Sequence, residues 1–306
     1  MDLYLPIAEV SVNAPLLMAL GALVGFVSGL FGIGGGFLMT PVLVFLGIPP
    51  VVAVASEANH VVASSASGVI TYGRKRLVDF RMGGVLAFGG VIGAFLGVEA
   101  FRILRLLGQA DLTVALSYLI FLGVIGALML SESLGAILRR RRGEPARAPR
   151  DRRPMWLYGL PLKMRFPRSR LYISVIPPIA LGMFVGVLSA IMGVGGGFIL
   201  VPAMVYLLRM PARIVVGTSL FQIIITTALV TVLQAGRNQT VDIVLATVLL
   251  VGGVIGAQLG ARASARFRAE ELRALLALIV LLVGLRMGLG LFITPQDPFV
   301  LAGGGG

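Results

Sequence analysis

The sequence predicts an all-α polytopic membrane protein built from two tandem repeats of inverted topology, each with a glycine-broken helix and a short half-helix. Three observations predict it: the hydropathy, a duplicated glycine motif and the placement of the positive charge. Of 306 residues, 58% are hydrophobic and only 13% charged, with a mean hydropathy of +0.99. A soluble domain carries roughly a quarter charged residues, so this chain has more apolar surface than a water-soluble fold can hide. Mostly apolar stretches recur that are long enough to cross a hydrocarbon core of about 30 Å.

The net charge is +13. In a soluble protein that points to nucleic acid. Here Lys and Arg are confined to a few loops between apolar runs, which marks the cytoplasmic side of a membrane protein, so no nucleic-acid partner is expected. The chain has no cysteine, which excludes disulfides and thiolate metal sites. The first 13 residues hold Asp2 and Glu9 but no Lys or Arg, unlike the positive start of a cleaved signal, so the first apolar run is expected to be retained.

The duplication is read from two motifs in the same order. Gly32-Ile-Gly-Gly-Gly-Phe-Leu-Met-Thr-Pro41 is matched 161 positions later (32 to 193) by Gly193-Val-Gly-Gly-Gly-Phe-Ile-Leu-Val-Pro202. Gly89-Gly-Val-Ile-Gly-Ala-Phe-Leu-Gly97 is matched 163 positions later (89 to 252) by Gly252-Gly-Val-Ile-Gly-Ala-Gln-Leu-Gly260, and Asp79 and Asp242 share that second offset. Copy two therefore carries a net insertion of two residues between the motifs. The organisation is transmembrane repeat 1 over 14–131, an Arg-rich cytoplasmic linker over 132–170, and transmembrane repeat 2 over 171–292. Copy one parses into apolar segments 14–31, 37–46, 51–72, 82–101 and 112–131; copy two into 171–192, 198–208, 214–235, 243–261 and 274–292. The second segment of each spans only about 15 Å at about 1.5 Å per residue, half a membrane.

Charge counting sets the orientation. If each copy makes five passes with the linker inside, the inner loops 73–81, 132–170, 209–213 and 262–273 hold 22 of the Lys and Arg. The outer loops then hold only Arg102, Arg105 and Arg237. If the short segments are re-entrant and each copy makes four passes, the split falls to 17 against 8. The positive-inside rule favours five passes. An odd number inverts the second copy relative to the first.

Three consecutive glycines inside an apolar run break a helix, at about 1 kcal/mol each against alanine. The freed backbone groups survive in a membrane only against protein or a watery cavity. Gly34, Gly35 and Gly36, and Gly195, Gly196 and Gly197, lead into short helices at Phe37 and Phe198. Their free N–H groups sit at the positive end of a helix dipole and suit a small anion. Inverted repeats with interrupted helices are the logic of secondary transporters. The alternative is that the glycines only let helices pack closely, the role assigned to Gly89, Gly90, Gly252 and Gly253. Nucleotide binding is excluded: Phe37 and Phe198 stand where a dinucleotide fingerprint needs glycine, and no Gly-Lys-Ser/Thr occurs.

Segment 51–72 reads Ala55-Ser-Glu-Ala-Asn-His-Val-Val-Ala-Ser-Ser-Ala-Ser67. Glu57 and His60, the chain's one histidine, lie three apart and share a helix face. Ionisable groups inside a membrane are costly and usually functional, and a group titrating near neutrality can carry a coupling proton. The alternative leaves Glu57 in interfacial water near the segment's start. Ser56 and Asn59, with Ser64, Ser67 and Thr71, add polar positions. Copy two has Thr218, Ser219, Gln222, Thr226, Thr227 and Gln234 there and no charge. Such donors suit a desolvated oxyanion, or bonds between helices. Arg286, alone in the last segment, is expected to snorkel to the surface. The Glu57–His60 pair has neither metal-ligand spacing nor a nucleophile arrangement, so no metal, cofactor or enzyme activity is expected.

The twin Gly-x-Gly-Gly-Gly-Phe motifs with Pro41 and Pro202, together with Val215-Val-Gly-Thr-Ser-Leu-Phe-Gln222 and Gln239-Thr-Val-Asp-Ile243, resemble the sulfite exporter TauE/SafE family, also called the toluene sulfonate uptake permease family. The resemblance runs from about 14 to 292. It implies a multi-pass protein of the bacterial inner membrane that carries sulfite, sulfonates, sulfoacetate or other organic anions, driven by an ion gradient. The expected mechanism is alternating access. Gly34 to Gly36 and Gly195 to Gly197 would supply backbone donors to a small anionic substrate. Ser56, Asn59, Thr218, Ser219 and Gln222 would supply side-chain contacts, and Glu57 or His60 would relay a proton. The rivals are an anion channel and a membrane assembly or sensor subunit without transport. Partners other than substrate and lipid bilayer are not indicated; a homo-oligomer stays open.

Overall fold

Helix dominates because the apolar runs have only their own backbone to bond inside a bilayer. The computed structural model describes residues 2–31, 36–141, 161–263 and 269–292. Gly34, Gly35 and the linker residues 142–160 lie outside them. Copy one comprises a hairpin of β1 (Asp2–Leu5) and β2 (Val10–Asn13), then α1 (Ala14–Phe31), α2 (Gly36–Phe45), α3 (Pro50–Arg74), α4 (Phe80–Leu106) and α5 (Ala110–Arg141). Copy two repeats the order with β3 (Lys163–Phe166), β4 (Leu171–Ser174), α6 (Ile176–Met192), α7 (Gly197–Tyr206), α8 (Ala212–Leu233), α9 (Ile243–Ala263) and α10 (Ala269–Phe292). Among the described residues, five helices are long and apolar enough to cross a membrane: α1, α4, the first part of α5, α8 with its continuation, and α9. The chain is an all-α polytopic membrane protein.

Several boundaries differ from the sequence reading, and helix α4 runs on to Leu106 rather than 101. Helix α5 runs at least to Arg141, the last described residue before 161, rather than stopping near 131. The segment from 163 to 174 is not plain linker but an antiparallel hairpin, so the sixth helix starts at Ile176 rather than 171.

The two inserted residues of copy two are also located. Four residues join α2 to α3 and five join α7 to α8. The other extra residue is absorbed by a π turn, Gln234–Asn238, at the end of α8; such a turn is a one-residue bulge in a helix.

Helices pair across the copies rather than within them. α1 lies on α9, and α6 lies on α4. Small residues at the crossings let the backbones touch. A Cβ on Gly89 would fall 2.1 Å from the Ile179 carbonyl oxygen, and one on Gly252 would fall 2.4 Å from that of Met18. Gly25 meets Gly253 as Gly186 meets Gly90, and Gly21 meets Leu249 as Gly182 meets Leu86. Each contact in one pair has its counterpart in the other at the motif offsets. α3 and α8 also pack together, and they run antiparallel: Gly68 touches Leu220, while Tyr72 touches Gly217.

The hairpins tie the copies together at the starts of α4 and α9. Asp79 caps α4 through Oδ1, which accepts from the Arg81 and Met82 amides. Its Oδ2 accepts from the Ser169 amide at 3.0 Å and the Ser169 hydroxyl at 2.6 Å, in the turn of the second hairpin. Asp242 caps α9 in the same way, from the Val244 and Leu245 amides. Its Oδ2 accepts from Ile7, in the turn of the first hairpin, at 3.0 Å. Carboxylates suit a helix start because they meet orphan amides and the dipole together.

Candidate functional site

The two broken segments meet. A Cβ on Gly36 would fall 2.7 Å from Val194 Cα, and the rings of Phe37 and Phe198 lie 5.9 Å apart. The second loop turns through left-handed backbone at Gly193, Gly195 and Gly196, with φ of 73°, 69° and 73°, which glycine adopts without steric cost. Gly196 caps α7 with its carbonyl, accepting from Ile199 and Leu200. Gly197 opens the helix. Gly36 opens α2 in the same manner. Both half-helices are ten residues long, and their N-terminal amides point away from the helix without an intrahelical partner.

Glu57 and His60 are fully buried on α3, which rules out the interfacial reading of Glu57. The Thr40 hydroxyl, from α2, donates to Glu57 Oε2. Tyr118 of α5 places its hydroxyl beside Thr40 and Glu57 and donates to the Met192 carbonyl at 2.7 Å, at the end of α6. His60 lies over Gly253 of α9, where a Cβ would strike Nε2 at 1.8 Å. Glu57 Oε1 and both imidazole nitrogens have no hydrogen-bond partner among the described residues. Buried polar atoms of this kind ask for a functional explanation.

The other predicted residues divide. Gln222 holds the place in α8 that His60 holds in α3. Gln222 is buried, donates to Thr226 at 2.8 Å, lies over Gly90, and leaves Oε1 unpartnered among the described residues. Ser219 is buried and donates to the Val216 carbonyl. Ser56 and Thr218 hold backbone at the junction of the copies. The Ser56 hydroxyl accepts the Asp242 amide at 2.9 Å, and the Thr218 hydroxyl accepts the Asp79 amide at 2.9 Å. Asn59 is half-buried and, by helical spacing, on another face from Glu57 and His60. Arg286 is exposed and stacks on the Phe45 ring at 5.2 Å.

Sequence reasoning missed Thr40 and Tyr118 as partners of Glu57. A phenol in the middle of an apolar segment was the available signal, since a buried tyrosine hydroxyl needs a partner. Thr227 gains weight as well. Its buried hydroxyl is unpartnered among the described residues and lies 3.1 Å from where a Gly195 Cβ would be. The centre thus brings together two helix N-termini, one carboxyl, one imidazole, and the amide and hydroxyl of Gln222 and Thr227. Such a set can hold a small anion and exchange a proton beside it.

Comparison with known proteins agrees in kind. The family model described as sulfite exporter TauE/SafE matches residues 17–287. A probable membrane transporter protein of Xylella fastidiosa is 30% identical over 242 residues, which is 76% of this chain and 78% of that protein. The probable membrane transporter protein YjnA of Bacillus subtilis is 27% identical, covering 78% of this chain and 85% of its own. Sulfite exporter TauE/SafE family protein 3 of Arabidopsis thaliana is 34% identical over 39% of this chain and 26% of its own length. No solved structure matches. With the family model spanning both glycine motifs and most of the chain, this protein belongs to the sulfite exporter TauE/SafE family of membrane transporters.

Proposed function

We propose that the protein is a proton-coupled secondary carrier of a small sulfur-containing or organic anion, of the sulfite, sulfonate or sulfoacetate type, working by alternating access. The observation that carries this reading is the meeting of two glycine-broken helix starts beside the unpartnered atoms of Glu57 and His60. The anion binds between the copies. The amides at Gly36 and at Gly195 to Gly197 face it, with Gln222 and Thr227 as side-chain donors; Gly34 and Gly35 lie outside the described residues. Glu57, held by Thr40, relays the proton with His60. Ser56 and Thr218 act through the caps on Asp242 and Asp79 rather than on substrate. The carrier lies in the bacterial inner membrane, with the Arg-rich linker cytoplasmic and the two copies inverted, as the charge count favours. The name of the Arabidopsis relative supports a sulfur oxyanion as cargo.

The test is uptake by reconstituted vesicles of sulfite, sulfoacetate and simple carboxylates, with and without a proton gradient. Glu57→Gln should abolish gradient-driven uptake and leave anion exchange largely intact. Equal loss of both in well-expressed protein would remove Glu57 from the proton path. Saturable counterflow separates a carrier from a channel, and absence of all anion flux would favour an assembly or sensor role.

A further inference from the structure

From His60 the polar face of α3 continues through Ser64, Ser67 and Thr71, at helical spacing. There it opens into a cleft lined by Ser28, Gly29, Ser64, Ser67, Gly68, Thr71 and their neighbours from α1, α8 and α9, with a volume of about 20 Å³, enough for a water. The mouth lies beside the exposed Arg74, Lys75 and Arg76, at the C-terminal end of α3.

The equivalent place at the other end of the molecule is closed. Ser28 corresponds to Ser189, Gly29 to Ala190, Ser67 to Leu229, Gly68 to Val230, Thr71 to Leu233 and Ala257 to Ala94, by the offsets that relate the helix contacts. Four of these counterparts, Ala190, Leu229, Val230 and Leu233, are larger or more apolar and fill the space: Ala94, Val98, Ala190 and Val230 form a buried apolar cluster with Leu229 and Leu233 packed against it. Because α3 and α8 run antiparallel, the open cleft and the closed cluster lie at opposite ends of the pair.

Charge follows the same division. At the closed end Glu99 of α4 pairs with Arg102 at 2.6 Å and with Arg237 of the π turn at 3.2 Å. Arg105 donates to the Asn238 carbonyl at 2.5 Å, and Gln234 donates to the Ala190 carbonyl at 3.2 Å. At the open end the counterpart of Glu99 is Arg262 and that of Arg237 is Arg74. Two cations stand where the closed end has an ion pair, and the local field favours an anion.

We propose that the Ser28–Ser64–Ser67–Thr71 cleft is the hydrated entrance for a small oxyanion in the conformation seen. The Ala94–Val98–Ala190–Val230 cluster with the Glu99–Arg237 pair is the closed gate opposite. The proposal rests on reading the chain as an anion carrier. The carrier stands open toward the Arg74–Arg76 end, and transport requires the two ends to exchange states. Hydroxyls and rim cations guide the anion to the glycine loops.

The natural absence of cysteine permits a direct test. Ser67→Cys and Gly68→Cys, with their counterparts Leu229→Cys and Val230→Cys, are placed one at a time in the full chain in nanodiscs, where both faces are wet. Each is reacted with a charged maleimide. The cleft pair should label about tenfold faster, the ratio expected if roughly nine molecules in ten hold this conformation. Equal rates, or faster labelling at Leu229→Cys and Val230→Cys, would overturn the proposal. Ser67→Cys is nearly isosteric and keeps the test usable if the glycine variant does not fold. Adding Glu99→Arg should raise labelling at Val230→Cys; an unchanged rate would remove the ion pair from the gate. Anion flux with equal labelling sinks the gate and leaves the carrier reading. Unequal labelling without flux of any anion sinks the carrier reading alone.

Discussion

Helices α3 and α8 hold matching places in the order of elements and differ in their chemistry along their length. At one level they remain the same: Ser56 and Thr218 each accept the backbone amide of the aspartate that caps a helix of the other copy. From the next residue through the following turn they diverge. α3 has Glu57 and His60 where α8 has Ser219 and Gln222, so only the first carries groups that titrate. Toward their C-terminal ends the divergence is steric: Ser67, Gly68 and Thr71 line a cleft, while Leu229, Val230 and Leu233 belong to an apolar cluster. The shared positions hold the copies together. The divergent ones make the two ends of the α3–α8 pair chemically different, with a carboxyl, an imidazole and small polar residues along one helix and an amide and larger apolar residues along the other.

The largest test of that comparison is functional. Glu57→Gln should abolish proton-driven uptake, whereas Ser219→Ala should leave most of it; matching losses would show that the two helices had not divided the work. Next come the shared crossings. Gly89→Ala and Gly252→Ala force a Cβ into a carbonyl oxygen and should each cost about 3 kcal/mol or more, read as a lower thermal midpoint in detergent. A cost in only one of them would break the two-fold equivalence.

The caps give a smaller and unequal pair. Asp79 accepts from four donors and Asp242 from three. Asp79→Ala should therefore cost about 2 kcal/mol and Asp242→Ala about 1 kcal/mol. Ser56→Ala and Thr218→Val should cost nearly equal amounts, about 1 kcal/mol each, with substrate affinity retained in the Thr218 variant. A large affinity loss there would return Thr218 to the substrate site. The smallest effect is expected at Gly84, where a Cβ meets nothing within 4 Å. Gly84→Ala should be neutral or stabilising by about 0.5 kcal/mol.

Much of the scaffold was legible before folding was considered. Apolar run lengths identify membrane helices because bilayer thickness is a fixed ruler, and the repeated glycine motifs mark duplication without any structure. The short second segments were legible for the same reason, with Pro41 and Pro202 inside the ten-residue helices. The site was legible only in part. Glu57 and His60 stood out because charge is rare in apolar sequence. Thr40 and Tyr118 did not, because a hydroxyl alone does not reveal what it faces. Ser56 and Thr218 read as donors for substrate, and what the sequence could not show is that their hydroxyls accept the amides of Asp242 and Asp79.

Composition along a line was enough to set where helices must be, where they break, and which third segment carries a carboxyl and an imidazole. Those follow from local backbone chemistry and the cost of polar groups in hydrocarbon. Folding in three dimensions was needed to join α1 with α9 and α6 with α4, to bring Gly36 against Val194, and to leave a cleft at one end of the α3–α8 pair and an apolar cluster at the other. These are contacts between residues far apart in sequence. They depend on which small residues let backbones approach, a through-space quantity that no single segment contains.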